Sequence, residues 1–130
     1  MKILQPPNWG QPSGYSNGVS ARGRTIFTAG VLGRDEHGSF PDYTLHGQFS
    51  RALVNLLEIL AQDGAGPQHI ARMTVYLIDR GEYLRDRDEI DAAWLEIMGP
   101  NYPAMTLVEV KSLIESAAKV AIEATAVVEE

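Results

Sequence analysis

One acidic residue stands out by its surroundings. Glu123 interrupts the run Val120-Ala121-Ile122-Glu123-Ala124-Thr125-Ala126, which otherwise reads as a strand. A carboxylate there loses hydration unless something pairs with it, and a positioned carboxylate suits general acid or base work on water. Two plainer readings stay open: a solvated carboxylate on an edge strand, or one paired with Arg or Lys across a subunit boundary. The other chemistry-bearing residues are dispersed. His37, His46 and His69 fall in different elements with no His-x-x-x-His or carboxylate spacing, so no metal site is expected. Gly14-Tyr15-Ser16-Asn17-Gly18 has Gly-x-Ser-x-Gly spacing, but the first expected helix starts well after it, so it does not read as a nucleophile elbow. Gly14, Gly18, Gly23, Gly30 and Gly33 do not open a helix in the manner of a phosphate-binding loop. The run Arg85-Asp86-Arg87-Asp88-Glu89 reads as a solvated helix face, and Tyr83 and Trp94 as core aromatics. The chain has 0 Cys, which excludes disulfides, thiolate nucleophiles and Cys-ligated zinc.

These residues must be positioned by a small fold. The 130 residues suffice for one domain, taken as 1–130, and 45% hydrophobic with 22% charged content is ordinary for a globular protein. With Lys+Arg 11 against Asp+Glu 17 the net charge is -6, which disfavours a nucleic-acid partner held through phosphates. No apolar run approaches the roughly 20 residues that a bilayer requires. Met1-Lys2-Ile3-Leu4-Gln5-Pro6-Pro7 lacks the apolar stretch of a secretory leader. The expectation is a soluble cytoplasmic protein with no membrane partner.

Along the chain, residues to about Gly14 read as an irregular lead-in and Tyr15 to Val31 as strand-like. Leu45, Phe49, Leu53, Leu56, Leu57 and Leu60 recur at helical spacing and predict a helix over 44–62. Ile70 to Ile78 predicts a strand with Ala71, Met73, Val75 and Leu77 on one face. Thr74, Tyr76 and Ile78 take the other. Asp79 is placed to cap a second helix with Tyr83, Ile90, Trp94 and Ile97 as its apolar stripe, ended by Gly99-Pro100. Met105 to Val110 and Ala118 to Val128 predict the last two strands. The order implies an α+β fold: a two-layer sandwich, with a mixed β-sheet of about six strands and two helices on one face.

Two helices cover only one side of such a sheet. The helix side of the last strand is expected to carry Val120, Ile122, Ala124, Ala126 and Val128, which turns Glu123 to the other side. With Thr74, Tyr76, Ile78, Met105, Leu107, Ala121 and Val127 also assigned there, that face is too apolar to stay wet. Each large side chain on it gains about 1.5–3 kcal/mol if buried. A homo-oligomer sealing sheet against sheet is the simplest resolution.

The chain also resembles the Rid family, called too the YjgF/YER057c family, over roughly Tyr15 to Val127. The resemblance rests on Gly14-Tyr15-Ser16-Asn17-Gly18-Val19, Thr28-Ala29-Gly30, Phe49 to Leu56 and Ile70 to Leu77. The most specific pieces are Tyr102-Pro103-Ala104-Met105-Thr106-Leu107-Val108-Glu109-Val110 and Val120 to Ala126. It implies a chorismate-mutase-like fold, a homotrimer with three clefts between subunits, and hydrolysis of reactive enamines or imines to carbonyl products and ammonia, with no metal or organic cofactor. It also implies Glu123 as the catalytic, water-positioning residue, and a substrate cleft lined by Tyr15, Ala29, Gly30, Met105, Thr106 and Leu107.

The sequence departs from the family pattern at several of these positions. The family's serine is Ala29, its carboxylate-binding arginine is Met105, and its small thiol residue is Leu107. A polar residue of the second helix corresponds to Arg87 or Asp88, and Arg22 or Arg24 is a candidate to restore the lost charge. Met offers no donor to an anion but packs well on apolar and aromatic groups. The expected substrate is therefore a less acidic or aromatic-derived enamine or imine. The alternative is a non-catalytic trimer that binds an apolar metabolite in the same clefts; a third reading is a scaffold in which the clefts matter little.

Overall fold

A computed structural model describes residues 1–130. The strands are β1 (Lys2–Leu4), β2 (Gly18–Ser20), β3 (Arg24–Phe27), β4 (Val31–Leu32), β5 (Ile70–Leu77), β6 (Ala104–Glu109) and β7 (Val120–Val128). The helices are α1 (Leu45–Ala61), α2 (Arg80–Arg85) and α3 (Arg87–Met98), with a 3-10 turn at Pro67–His69. The main sheet runs β3-β7-β5-β6, with β4 pairing the same side of β7 as β3. β5 and β6 are parallel and the other pairs antiparallel, so the sheet is mixed. The fold is the expected α+β arrangement.

β1 lies within the stretch whose composition predicts an irregular lead-in. Lys2–Leu4 pairs antiparallel with β2, and three residues become a strand only through that distant partner. The second helix is also broken. Asp79 caps α2 by accepting the Glu82 N–H at 3.0 Å, but Asp86 leaves the helical region (φ -99°, ψ 23°) and separates α2 from α3. Gly99 then ends α3 with φ +65°, a conformation that side chains disfavour. Met98 is buried on its inner face, while Ile97 is only partly so.

α1 follows its sequence signal closely. Thr44 caps it by accepting the Gly47 N–H at 3.1 Å, and Leu45, Phe49, Ala52, Leu53, Leu56 and Leu60 are buried against the sheet. From β7, Val120, Ile122, Ala124 and Ala126 meet them, with Val128 partly buried. From β5 come Met73, Val75 and Leu77, as predicted, but Ile70 takes the place expected of Ala71. A register shift between Ile70 and Arg72 causes the exchange, since an irregular residue inverts the alternation before it. Gly33 lets β4 lie close on α1: a Cβ there would stand 2.3 Å from the Gln48 carbonyl oxygen.

Two buried polar side chains lock the helices to the sheet. Gln48 donates to the carbonyls of Asp42 (3.1 Å) and Ala117 (2.9 Å) and accepts from the Lys119 N–H (2.7 Å), so all its near partners are met. Glu82 of α2 accepts from the Leu45 N–H at the start of α1 (2.8 Å) and from Lys119 Nζ (2.8 Å). Burial pushes the Glu82 carboxyl up, but Lys119 and the Leu45 N–H together hold it below the ordinary 4.5. Such a carboxylate stabilises the fold fully above its ordinary value, and the gain is lost as pH falls through the lowered one. The Glu82→Gln variant should lose about 1–2 kcal/mol at neutral pH. Chemical denaturation followed from neutral to acid pH should show wild type and variant converging below about pH 4.5, the ordinary carboxyl value.

Candidate functional site

Glu123 sits in the middle of the sheet, not at its edge, because β7 is paired on both sides. Its side chain lies on the face without helices and is half-buried. Thr74 of β5 is its cross-strand partner. Tyr76, two residues along β5, reaches it diagonally and donates its phenol O–H to Oε1 at 2.6 Å. This hydrogen bond first, then burial and the carboxylate charge, raise the Tyr76 phenol above the ordinary 10.0, and Arg72 acts in the opposite sense. The Glu123 side chain makes no other hydrogen bond in the chain, and it lines a cavity of about 220 Å³ with Arg72, Thr74, Phe27, Thr28 and Thr125. Beside Phe27 the surroundings include the threonine hydroxyls and one guanidinium, more polar than the strand's own sequence indicates. Thr28 shapes one wall: its hydroxyl accepts the Ala124 N–H (3.0 Å) where β3 gives way to β4.

Met105 and Leu107 lie elsewhere. In the parallel register Met73 pairs Met105, Thr74 pairs Thr106 and Val75 pairs Leu107, and paired residues share a face. Met105 and Leu107 therefore point to the helix side, which corrects the expectation that they share Glu123's face. Thr106 and Val108 take the open face instead. The physical reason is that Ile90 and Trp94 of α3 extend the core beyond β5, and β6 must cover them. Met105 and Leu107 line a cavity of about 480 Å³ between β6 and the helices, walled by Phe49, Tyr83, Trp94 and Tyr102 and flanked by Arg87 and Asp91. Trp94 and Tyr102 stack with ring centroids 6.1 Å apart.

Tyr15 joins the two sides. Ser16 beside it donates its N–H to the Pro103 carbonyl at 3.0 Å, which holds this segment against the start of β6. Tyr15 lines the aromatic cavity and also a groove of about 270 Å³ with Arg72, Met105 and Thr106. Ala29 and Gly30 line a surface cavity with Asn55 and Glu58 of α1, and they run beside β7, where Thr28 and Val31 on either side of them meet Ala124 and Ile122, the two neighbours of Glu123. Within one chain the structure thus brings Tyr15, Met105 and Thr106 together, with Leu107 in the adjoining cavity, and sets Glu123 apart from them, with the Ala29-Gly30 segment running beside it along β7. Arg24 is unsuited to replace a substrate-binding charge: it is bound to Asp63 and to Glu130 (2.7 Å).

Sequence reasoning missed Arg72 and the Tyr76 partnership. Arg72 borders both the Glu123 cavity and the Tyr15 groove. A charged residue at an outward position of an otherwise apolar strand was the available signal. No group of three His, Asp or Glu side chains is disposed to hold a metal ion, and no helix is long and apolar enough to cross a membrane.

Comparison with known proteins places these features in context. Residues 10–128 match the model of the family described as endoribonuclease L-PSP. A RutC family protein of Pyrococcus abyssi is 32% identical over 100 residues, 76% of this chain and 75% of that protein. A Rid-family protein of unknown function from Yersinia pestis, YyfB, superposes with TM-score 0.86 at 26% identity, covering 98% of each chain. E. coli TdcF, solved with bound serine, superposes with TM-score 0.70 at 27% identity, covering 99% of this chain and 100% of that one.

The Tyr76–Glu123 contact is directly measurable. Tyrosine titration followed by 13C NMR should show the Tyr76 phenol above 10.0 in the wild type. In Glu123→Gln it should return toward the ordinary value, because the phenolate no longer forms beside a negative charge. Tyr83, raised by its burial, should not move.

Proposed function

The chain belongs to the endoribonuclease L-PSP family, which includes the Rid proteins, and on that premise we propose that it hydrolyses a reactive enamine or imine to a carbonyl compound and ammonia. The observation that carries the reading is Glu123: a carboxylate fixed by Tyr76 at 2.6 Å, with its other oxygen unpartnered, at the wall of a polar cavity. Such a group holds a water molecule and takes its proton as the oxygen attacks the C=N carbon. Glu123 passes that proton to the nitrogen, giving a neutral carbinolamine. In the collapse Glu123 takes the hydroxyl proton as the C=O bond forms and delivers it to the departing nitrogen, so that the C–N bond breaks and ammonia leaves. An enamine first takes a proton on carbon to become the imine. Water positioning and one proton acceptor supply about 10²–10⁴-fold acceleration, enough for a bond that is already labile.

We place this chemistry in a homotrimer. The open face carries Phe27 at 74% exposure and Val108 at 39%, and β6 is an edge strand with its outer side unpaired beyond the Ser16 bridge. A sister chain lying there would cover both. It would also bring a Tyr15–Met105 groove within reach of a neighbour's Glu123, which the intervening β5 prevents inside one chain. The substrate is a small molecule, aromatic-derived or less acidic than those that need an arginine at position 105; the serine bound by TdcF supports a ligand of amino-acid size. A nuclease activity, as the family's description names, has less support here, because the net charge is -6. The second reading, binding without turnover, is favoured by the separation of the aromatic cavity from Glu123 on opposite faces of the sheet.

The test supplies imines made in situ by an amino-acid oxidase, together with cyclic enamines, and follows ammonia release. Glu123→Ala should lower the rate on at least one substrate by about 10²-fold or more. Equal rates for wild type and Glu123→Ala on every substrate would leave binding as the function. Sedimentation equilibrium should give the mass of three chains.

A further inference from the structure

We propose that Arg87 makes the cavity under α3 a receptor for aromatic acids, holding the ligand's carboxylate while the ring lies among the cavity's own aromatic side chains. It rests on the hydrolase reading only in taking the bound acid to be a substrate or product.

The cavity has the size and make-up of a small-molecule site: about 480 Å³, mostly apolar, with few polar groups at its rim. Tyr15, Phe49, Tyr83, Trp94 and Tyr102 all contribute to its lining, which offers flat faces and edges to a ring. Met105 adds a polarisable side chain at its floor. Its charged residues are Arg87 and Asp91.

Arg87 is held for use, not consumed. Its guanidinium carbon lies 5.5 Å from the Tyr83 ring centroid, so the ring supports the plane of the group. Its hydrogen bond in the chain runs from Nε to Asp91 Oδ1 at 3.1 Å, one turn along α3. That geometry leaves the two terminal nitrogens without a partner in the chain. A pair of such nitrogens matches the two oxygens of a carboxylate. Both partners of the Arg87–Asp91 pair are substantially exposed, at 43% and 61%, and an exposed pair of this spacing is weak enough to yield to a ligand. A cation supplied from α3, not from β6, thus accounts for an apolar residue at position 105 without making the pocket indifferent to charge.

Isothermal titration with phenylacetate, its neutral analogue phenylacetamide, and acetate tests the proposal. Phenylacetate should bind about tenfold or more tightly than either of the others, since the ring and the charge each contribute. Arg87→Met should lose that advantage over phenylacetamide and leave amide binding unchanged. Arg87→Lys should keep part of it. Asp91→Asn, which removes the competing carboxylate, should tighten phenylacetate binding; this change runs opposite to damage to the fold. Equal affinity for acid and amide, an Arg87→Met variant that binds the acid as the wild type does, or no binding of either aromatic probe overturns the proposal. Arg87-dependent binding without Glu123-dependent ammonia release would sink the hydrolase and leave this site standing.

Discussion

The double pairing of β7 is the constraint on which the rest of the structure depends. With β5 on one side and β3 and β4 on the other, its backbone is held from both sides, the Ala124 N–H going to the Thr28 hydroxyl where β3 gives way to β4, and the strand cannot rotate to relieve an awkward side chain. Alternation then sends Val120, Ile122, Ala124 and Ala126 under the helices and Glu123 out. A one-residue slip would bury the carboxylate in an apolar core and expose the residues that hold α1, so the register is strongly enforced. The acid stands where it does because four apolar neighbours must go the other way.

The helices add asymmetry to that sheet. α1 is clamped at its start by Glu82 and in its first turns by Gln48, and both reach the segment that leads into β7. The clamp ties the last strand to the first helix across most of the chain. It also fixes α2, from which the chain turns at Asp86 into α3 and the roof of the aromatic cavity. The result is two chemically distinct sides: hydroxyls, Arg72 and Glu123 on one, aromatic rings and Arg87 on the other. β5 lies between them, and Tyr15 is the residue that borders the aromatic cavity and reaches round the end of β6 toward Arg72.

Much of this was legible in the residues. The leucine spacing of α1, the Asp79 cap and the inward set of β7 each follow from local periodicity, which depends only on near neighbours in the chain. The failures share a cause. Alternation in β6 sorts Met105 and Leu107 from Thr106 and Val108 but does not say which set faces inward; that depends on the β5 register and on the bulk of Trp94. Ile70 and Ala71 exchange roles through an irregularity that only pairing reveals. Lys2–Leu4 has no strand signal of its own, because its partner lies in β2.

The amino-acid sequence by itself determined the α+β class, the family, the helix-bearing face and the identity of Glu123 as the exceptional acid, all of which rest on short-range patterns and residue types. Only the tertiary structure decided that Met105 and Glu123 lie on opposite sides of the sheet, that Tyr76 is Glu123's partner, and that Arg87 overlooks the cavity Met105 lines. Those are relations between residues far apart in the chain, set by strand register and by which bulky side chains must be covered, and no local pattern encodes them.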